Sequence, residues 1–458
     1  MHPSPLLERA DAVAGAPQDV DATVPAHYGS PLPEQAALVA GMALSALARD
    51  VVAVTGADRL TWLTTLSSQQ LTGLTPGDGG AEALLLDARG HIAHALAALD
   101  DGQALFLVTE AGDGPALAAL LDRMRFMLRV EVSAREDLVA LGALGAGRER
   151  LRRAADGAGA LVGAWTDPWP GVVEGGTSYD VGLDSPHPGR AYAAGFVLVP
   201  ATGVVEVVRV FAAGGSADEG SDGTQPGGAL AGAAEHDALA GAMAWEALRI
   251  EAGRPRRARE VDERAIPHEL DWLRTAVHLA KGCYPGQETV ARTLNLGRPP
   301  RRLTLLQLDG LAGGLPAPGD VVRLGERAVG AVTSTARHHE LGPIALALLR
   351  RGVPAEAALS VEVSEAASGP GETGAVSGAD GVSGTGPVSG AGAAARTAEP
   401  DAVDAADGPA PGERVVVGRV AAAQEVLVTP EGRAQASPAE RPGAGLRTSL
   451  LRRRDGGR

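Results

Sequence analysis

The stretch Lys281-Gly282-Cys283-Tyr284-Pro285-Gly286-Gln287-Glu288 holds the one cysteine of a 458-residue chain. A thiol beside a lysine, in a turn compressed by two glycines and a proline, is placed for reactivity or ligation: the thiolate attacks electrophiles and binds metals, and nearby positive charge favours it. Leu270, Leu273, Val277 and Ala280 recur at helical spacing, which predicts a packed helix delivering the chain to Lys281. Residues 287–296 predict a second helix, ended by a left-handed cap at Gly297. Cys283 then lies near a helix N-terminus, whose unpaired N–H groups favour an anion, so the thiol is expected to be accessible and more acidic than a free cysteine. The plain alternative is a small buried apolar residue, and a polar, glycine-bound turn argues against it.

A single cysteine excludes an intramolecular disulfide and an all-cysteine metal cage, so no metal site is expected within the chain alone. Lysine and arginine number 41 against 56 acids, a net charge of −15. That surface repels phosphate backbones, and direct nucleic-acid binding is not expected. The first residues lack a basic stretch followed by an apolar run, and no stretch reaches the ~18 uninterrupted apolar residues of a membrane span. A cytoplasmic protein that does not enter membranes is the expectation.

The elements that must position the turn are legible as α+β. Val51 to Val54 reads as a strand, followed by a helix capped by Asp58 with Leu60, Leu63 and Leu66 on one face. Residues 82–99 and 104–110 read as strands on either side of turns, 115–128 as a helix and 129–137 as a strand, together predicting sheets covered on one face. Residues 1–22 lack periodicity and read as a disordered arm. Two Gly/Ser/Ala-rich stretches, 214–234 and 365–413, read as disordered insertions. The second interrupts what look like strands of one small domain, and a long loop adds little closure entropy. The expected division is a body over 23–300, a barrel over 301–430 and a basic tail over 431–458.

The octapeptide resembles the Lys-Gly-Cys-Tyr-x-Gly-Gln-Glu signature of the YgfZ-like folate-binding proteins, relatives of the glycine-cleavage aminomethyltransferase (T-protein). The segments VPAHYGSP, VTGADRLTWLTTLSSQQL, LLLDARGHI, ALRIEAGRP and GAVTSTARHHELGPIALALLRRGV extend the resemblance. It implies a T-protein-like fold, with a folate-binding α+β body of ferredoxin-like subdomains around a central cavity and a small C-terminal β-barrel. It further implies tetrahydrofolate or another reduced folate as cofactor, and iron–sulfur assembly proteins or iron–sulfur client enzymes as partners. Some of those clients modify tRNA, without this protein touching tRNA. The alternatives are a folate-dependent aminomethyl or one-carbon transferase and a folate-sensing module.

By the same resemblance Arg249 and Glu251 face the folate, where a carboxylate accepts from the pterin N–H edge and an arginine meets a carbonyl or carboxylate. Tyr284, Gln287, Glu288 and Arg292 join them as candidate folate contacts, with Cys283 and Lys281 as the chemical pair. One departure separates the chain from the transferase: where that enzyme carries a Gly-Gly-Ile-x-Asp-Asp run, this chain reads Gly90-His91-Ile92-Ala93-His94-Ala95. His94 as a base is weighed against a structural histidine, and Asp87 is expected to shape the turn.

Overall fold

In the computed structural model, residues 3–180, 186–216, 235–312, 314–366 and 414–438 are described. β1 (Val13–Ala14) pairs with β2 (Pro25–His27). The chain then splits between two sheets at β3 (Ser45–Leu47) and β4 (Arg49–Thr55). β4 is joined by β5 (Ala81–Leu86), β6 (Ile92–Asp100), β7 (Ala104–Glu110) and β8 (Glu131–Ala134), in the order β5-β6-β7-β4-β8. β3 is joined by β9 (Leu138–Leu144), β10 (Gly163–Thr166) and β11 (Ala194–Pro200), in the order β10-β11-β9-β3.

Alternation along each strand builds the layers. Val51, Ala53, Phe106 and Val108 face inward to the core shared with Leu138, Ala140, Phe196 and Leu198 of the other sheet. Their neighbours Val52, Val54, Leu105 and Leu107 pack outward with Trp62, Leu117 and Leu121 of the helices Arg59–Leu66 and Gly114–Met124. Leu141, Ala143, Val197 and Val199 do the same with the helices Gly147–Gly157 and Val204–Ser216. Both faces of each sheet are therefore covered, by helices outside and by the opposing sheet inside. This corrects the one-face expectation and explains why strands such as β7 read as continuous apolar runs.

β12 (Arg301–Leu308), β13 (Val321–Leu324), β14 (Arg327–His338), β15 (Gly342–Arg350), β16 (Leu359–Ala366) and β17 (Arg414–Val426) close a six-stranded barrel, ordered β12-β15-β14-β13-β16-β17. β16 and β17 pair from Leu359↔Ala422 to Ala366↔Arg414, so the strands flanking the second insertion are neighbours.

The ends of the expected segments differ. Residues 3–22 are packed: Leu6 is buried beside Val207 and Phe211, and the Asp21 carboxylate accepts from Arg256 at 2.9 Å. Single pegs hold this stretch, which is why no periodicity announced it. Residues 214–216 finish a helix and 365–366 finish β16, while the remainder of both expected insertions lies outside the described residues. The start of the expected tail returns to the body, with Gln435 N–H donating to Ser178 O at 2.9 Å and Ser437 Oγ to Leu294 O at 3.0 Å. Residues 439–458 lie outside the described residues. Among the described residues no helix is long and apolar enough to cross a membrane.

Candidate functional site

No long helix precedes the thiol turn. A 3-10 turn, Pro267–Leu270, ends at Asp271, which adopts a left-handed φ of 54°, and residues 265–277 are buried throughout. The polar residues of this strap find partners from an irregular path. His268 Nε2 bonds Val290 O at 3.0 Å, Trp272 Nε1 donates to Glu82 at 3.0 Å, and Arg274 donates to Trp169 O at 3.1 Å. Burial pushes the His268 imidazole down to about 4.

The strap delivers Lys281 into a cradle: its ammonium donates to the carbonyls of Thr64, Ser67 and Gln69, the last at 3.1 Å, and lies 4.9 Å from the centre of the Tyr284 ring. Burial pushes this amine down to about 8. Cys283 is exposed. The following helix begins at Gln287, beyond Tyr284, Pro285 and Gly286. The left-handed glycine is Gly286 at the helix start, with φ 79°, and not Gly297 at its end. A Cβ on Gly286 would sit 2.8 Å from Asp87 O, so the turn docks directly on the Asp87–His91 turn. Asp87 shapes that turn, accepting from the N–H groups of Arg89 and His91 at 2.8 Å.

A second feature lies between the two sheets, walled by the helix Ala242–Glu251 and the segment that follows it. Of the chain's 5 Trp, 4 Tyr and 4 Phe, this cavity takes Trp165, Tyr192, Phe196, Trp245 and Trp272. Trp165 and Phe196 stack at 5.1 Å. Among the rings stand matched charges: Arg254 pairs with Glu82 at 2.7 Å and Asp167 at 3.0 Å. Arg256 pairs with Glu110 at 2.7 Å and with Glu246, and Arg249 with Glu246 at 2.7 Å and Glu260 at 2.9 Å. Burial alone would raise the Glu110 carboxyl, but Arg256 and Arg49 hold it down at about 2. At Asp167 burial wins and the carboxyl is raised, opposed by Arg254.

Glu82 is largely engaged, since Trp272, Thr275 (2.5 Å) and Arg254 all contact it. Among the described residues Asp167 accepts only from Trp169 N–H and Arg254 Nε, both at 3.0 Å, leaving lone pairs on both oxygens. Arg254 Nη1 is buried with no hydrogen-bond partner among the described residues. Arg254, which keeps an unpartnered donor, and Asp167, which keeps free lone pairs, both line this aromatic cavity, a combination suited to a planar heterocycle with one hydrogen-bonding edge.

The residues expected at the site separate. Arg249 lines the cavity, but its guanidinium is committed to Glu246, Glu260, Arg254 O and, at 2.5 Å, Ser334 Oγ of the barrel. Glu251 turns away and meets His338 of the barrel at 3.2 Å. Tyr284, Gln287, Glu288 and Arg292 belong to the thiol turn and its helix; Gln287 donates to Lys281 O at 3.4 Å, and Glu288 and Arg292 form an exposed pair at 3.2 Å. None of these four lines the cavity. His94 bonds Asp113 at 2.7 Å, also outside the cavity lining. Asp167, Glu82, Arg254 and the ring cluster escaped the sequence reading. The signal for the rings was scarcity: aromatic residues make up 3% of the chain, and Trp165, Tyr192, Phe196, Trp245 and Trp272 stand at one cavity. Among the described residues no group of three or more His, Cys, Asp or Glu side chains is arranged to hold a metal ion.

No family model matches the chain. A 94-residue segment, 20% of the chain, is 37% identical to a chloroplastic protein of Arabidopsis thaliana named for a transferase activity, and the match spans 21% of that protein's length. The crystal structure of glycine cleavage system aminomethyltransferase T from Bartonella henselae superposes with a TM-score of 0.55 over 78% of this chain and 92% of that one, at 19% identity. The chain therefore has the mixed α/β fold of aminomethyltransferase T, with a closed six-stranded barrel toward its C-terminus. A heterotetrameric sarcosine oxidase of Corynebacterium sp. reaches a TM-score of only 0.23 over 42% of this chain and 95% of that one, at 16% identity, below the level of a shared fold.

Proposed function

We propose that the aromatic cavity binds the ring system of tetrahydrofolate or another reduced folate, and that the protein acts as a folate-binding accessory factor for iron–sulfur enzymes. The observation that carries the folate reading is one cavity lined by five rings together with Arg254, whose Nη1 is unpartnered among the described residues, and Asp167. A pterin edge offers a carbonyl acceptor next to N–H donors, the complement of that pair, and its rings stack on Trp and Phe. The enclosed volume is about 100 Å³. An engineered cavity of about 150 Å³ is what takes a benzene-sized guest, so a bicyclic ring enters only if the walls part. A neighbouring cavity of about 570 Å³ is roomier, but no aromatic ring lines it and its Asp19, Asp21 and Glu246 carboxylates are spent in ion pairs. We therefore favour the smaller one.

The iron–sulfur role rests on the octapeptide resemblance together with the exposure of Cys283 outside the cavity. A cluster takes four ligands, so a single thiol can serve one only jointly with an assembly protein or client enzyme. Effects on tRNA modification would follow through such clients. The transferase reading has less support: of the three carboxylates that line the cavity, Glu82 and Asp167 are tied to Arg254 and Glu110 to Arg256, and His94 is held by Asp113.

Titration with tetrahydrofolate should quench tryptophan fluorescence, because three of the chain's 5 Trp stand at the cavity. Saturable quenching that a Trp272→Phe variant reduces supports the reading, and its absence at any folate concentration contradicts it. In cells, replacing Cys283 with alanine should lower iron–sulfur enzyme activities while leaving folate binding intact. Unchanged activities would remove the accessory role.

A further inference from the structure

Beyond the helix Gly114–Met124 the chain makes an outward loop whose apolar side chains face solvent: Phe126 is 82% and Met127 89% exposed, and Leu128 and Met124 are also exposed. The loop is built to stand there. Met127 holds a left-handed φ of 56°, uncommon for a residue with a side chain. At the base, Asp58 accepts from Arg129 N–H at 2.9 Å and from its guanidinium at 3.1 and 2.6 Å. Asp58 thus clamps this loop and gives no side-chain cap to the helix it precedes. A Cβ on Gly56 would come within 2.0 Å of Arg129 O, so the backbone there is locked as well.

The clamped loop runs straight into β8, which among the described residues pairs only with β4 and leaves its other edge open. Short, charged edge strands usually prevent pairing. The charges here are self-complementary. Antiparallel pairing of two copies about Ser133 sets Glu131 opposite Arg135, twice by symmetry, with no like charges facing each other along the strand. Shifting the centre to Val132 would set Arg129 against Arg135. Glu131 makes no ion pair among the described residues, and Arg135, bonded to Asp137 at 2.7 Å, has donors to spare. In the Ser133 register the loop of one copy lies beyond the Arg135 end of the other copy's β8, where the chain turns toward β9. That stretch borders a pocket of about 80 Å³ whose lining includes Pro3, Pro115, Ala134, Leu138, Val139 and Ala201.

We propose that β8 and the 124–129 loop form a two-fold interface with a second copy of this chain, the strands pairing about Ser133 and each Phe126–Met127 tip seating against the other copy's pocket. A two-fold arrangement closes on itself, so the contact yields a dimer and not a filament. Phe, Met and Arg are the residue types enriched in protein interfaces, and a pre-clamped loop loses little entropy on docking.

Sedimentation of the full chain over a concentration series tests this. The wild type should move from monomer to dimer. Glu131→Arg should be monomeric, Arg135→Glu should be monomeric, and a mixture of these two variants should form a heterodimer, because each cross-pair then joins opposite charges. Phe126→Ser, at an exposed position that leaves folding intact, should raise the dimer dissociation constant at least tenfold. A wild type that stays monomeric at all concentrations, a dimer indifferent to Glu131→Arg and Phe126→Ser, or a mixture that stays monomeric would each overturn the proposal.

Discussion

The central cavity and the Lys281–Glu288 turn handle charge in opposite ways. In the cavity, carboxylates and guanidiniums are desolvated together, and Arg249, Arg254 and Arg256 each bridge two or more acids. Removing an arginine leaves a buried acid without an ion pair among the described residues: Glu260 without Arg249, Glu82 and Asp167 without Arg254. In the turn, one cation sits in a neutral carbonyl cradle, the thiol is exposed, and the Glu288–Arg292 pair is in water. The difference teaches that similar charged residues do different work according to where the backbone carries them. Arg249 is scaffold, although it lines the cavity. Asp167 is available to a ligand because two of its lone pairs remain free.

Arg249→Met should produce the largest effect. It strips Glu246 and Glu260 of a buried partner and cuts the body's link to Ser334 of the barrel, at a cost of about 3–5 kcal/mol. Urea unfolding measures it, and a loss below about 1 kcal/mol would mean that the network tolerates an unpaired acid, against the contrast drawn above.

His268 sharpens the picture of the strap between the two regions. Its folded pKa of about 4 lies below the ordinary value of 6.5, so between those values the unfolded chain binds the proton first. The stability from keeping His268 neutral is complete above pH 6.5 and is lost as pH falls toward 4, by about 3 kcal/mol in all. Unfolding midpoints at pH 7 and pH 4.5 should therefore fall further apart in the wild type than in His268→Gln. Equal gaps would show that this histidine is not buried in solution.

At the small end, Glu288→Ala and Arg292→Ala should leave both stability and folate affinity unchanged within error, since exposed helix pairs contribute little. Iodoacetamide should label Cys283 completely in the native protein. Labelling that needs denaturant would place the thiol in a core and erase the contrast between the regions.

Much of the scaffold was legible because it rests on local alternation: β4 to β8, the helix Gly114–Met124 and the interrupted barrel strands follow from period and turn residues. The strap 265–277 was not, because Leu270, Leu273 and Val277 are buried at helical spacing while the backbone, broken at Asp271, is not helical. Burial on all sides defeats periodicity. Asp167 and Arg254 were invisible for another reason: they stand 87 residues apart and meet only through tertiary packing. Glu251 stood out through its local motif, but two positions beyond Arg249 it lies on the other face of the helix and meets His338 instead of the cavity.

The most direct test of the folate site is calorimetric titration of tetrahydrofolate into wild type, Asp167→Asn and Glu251→Ala. Loss of the free acceptor at a buried hydrogen-bonding edge costs about 1–3 kcal/mol, roughly one to two decades in affinity. Asp167→Asn should therefore bind ten- to a hundredfold more weakly (an order-of-magnitude expectation from the same range), while Glu251→Ala binds like wild type. The reverse pattern, with affinity lost on changing Glu251 and kept on changing Asp167, would contradict the assignment of the aromatic cavity as the folate site.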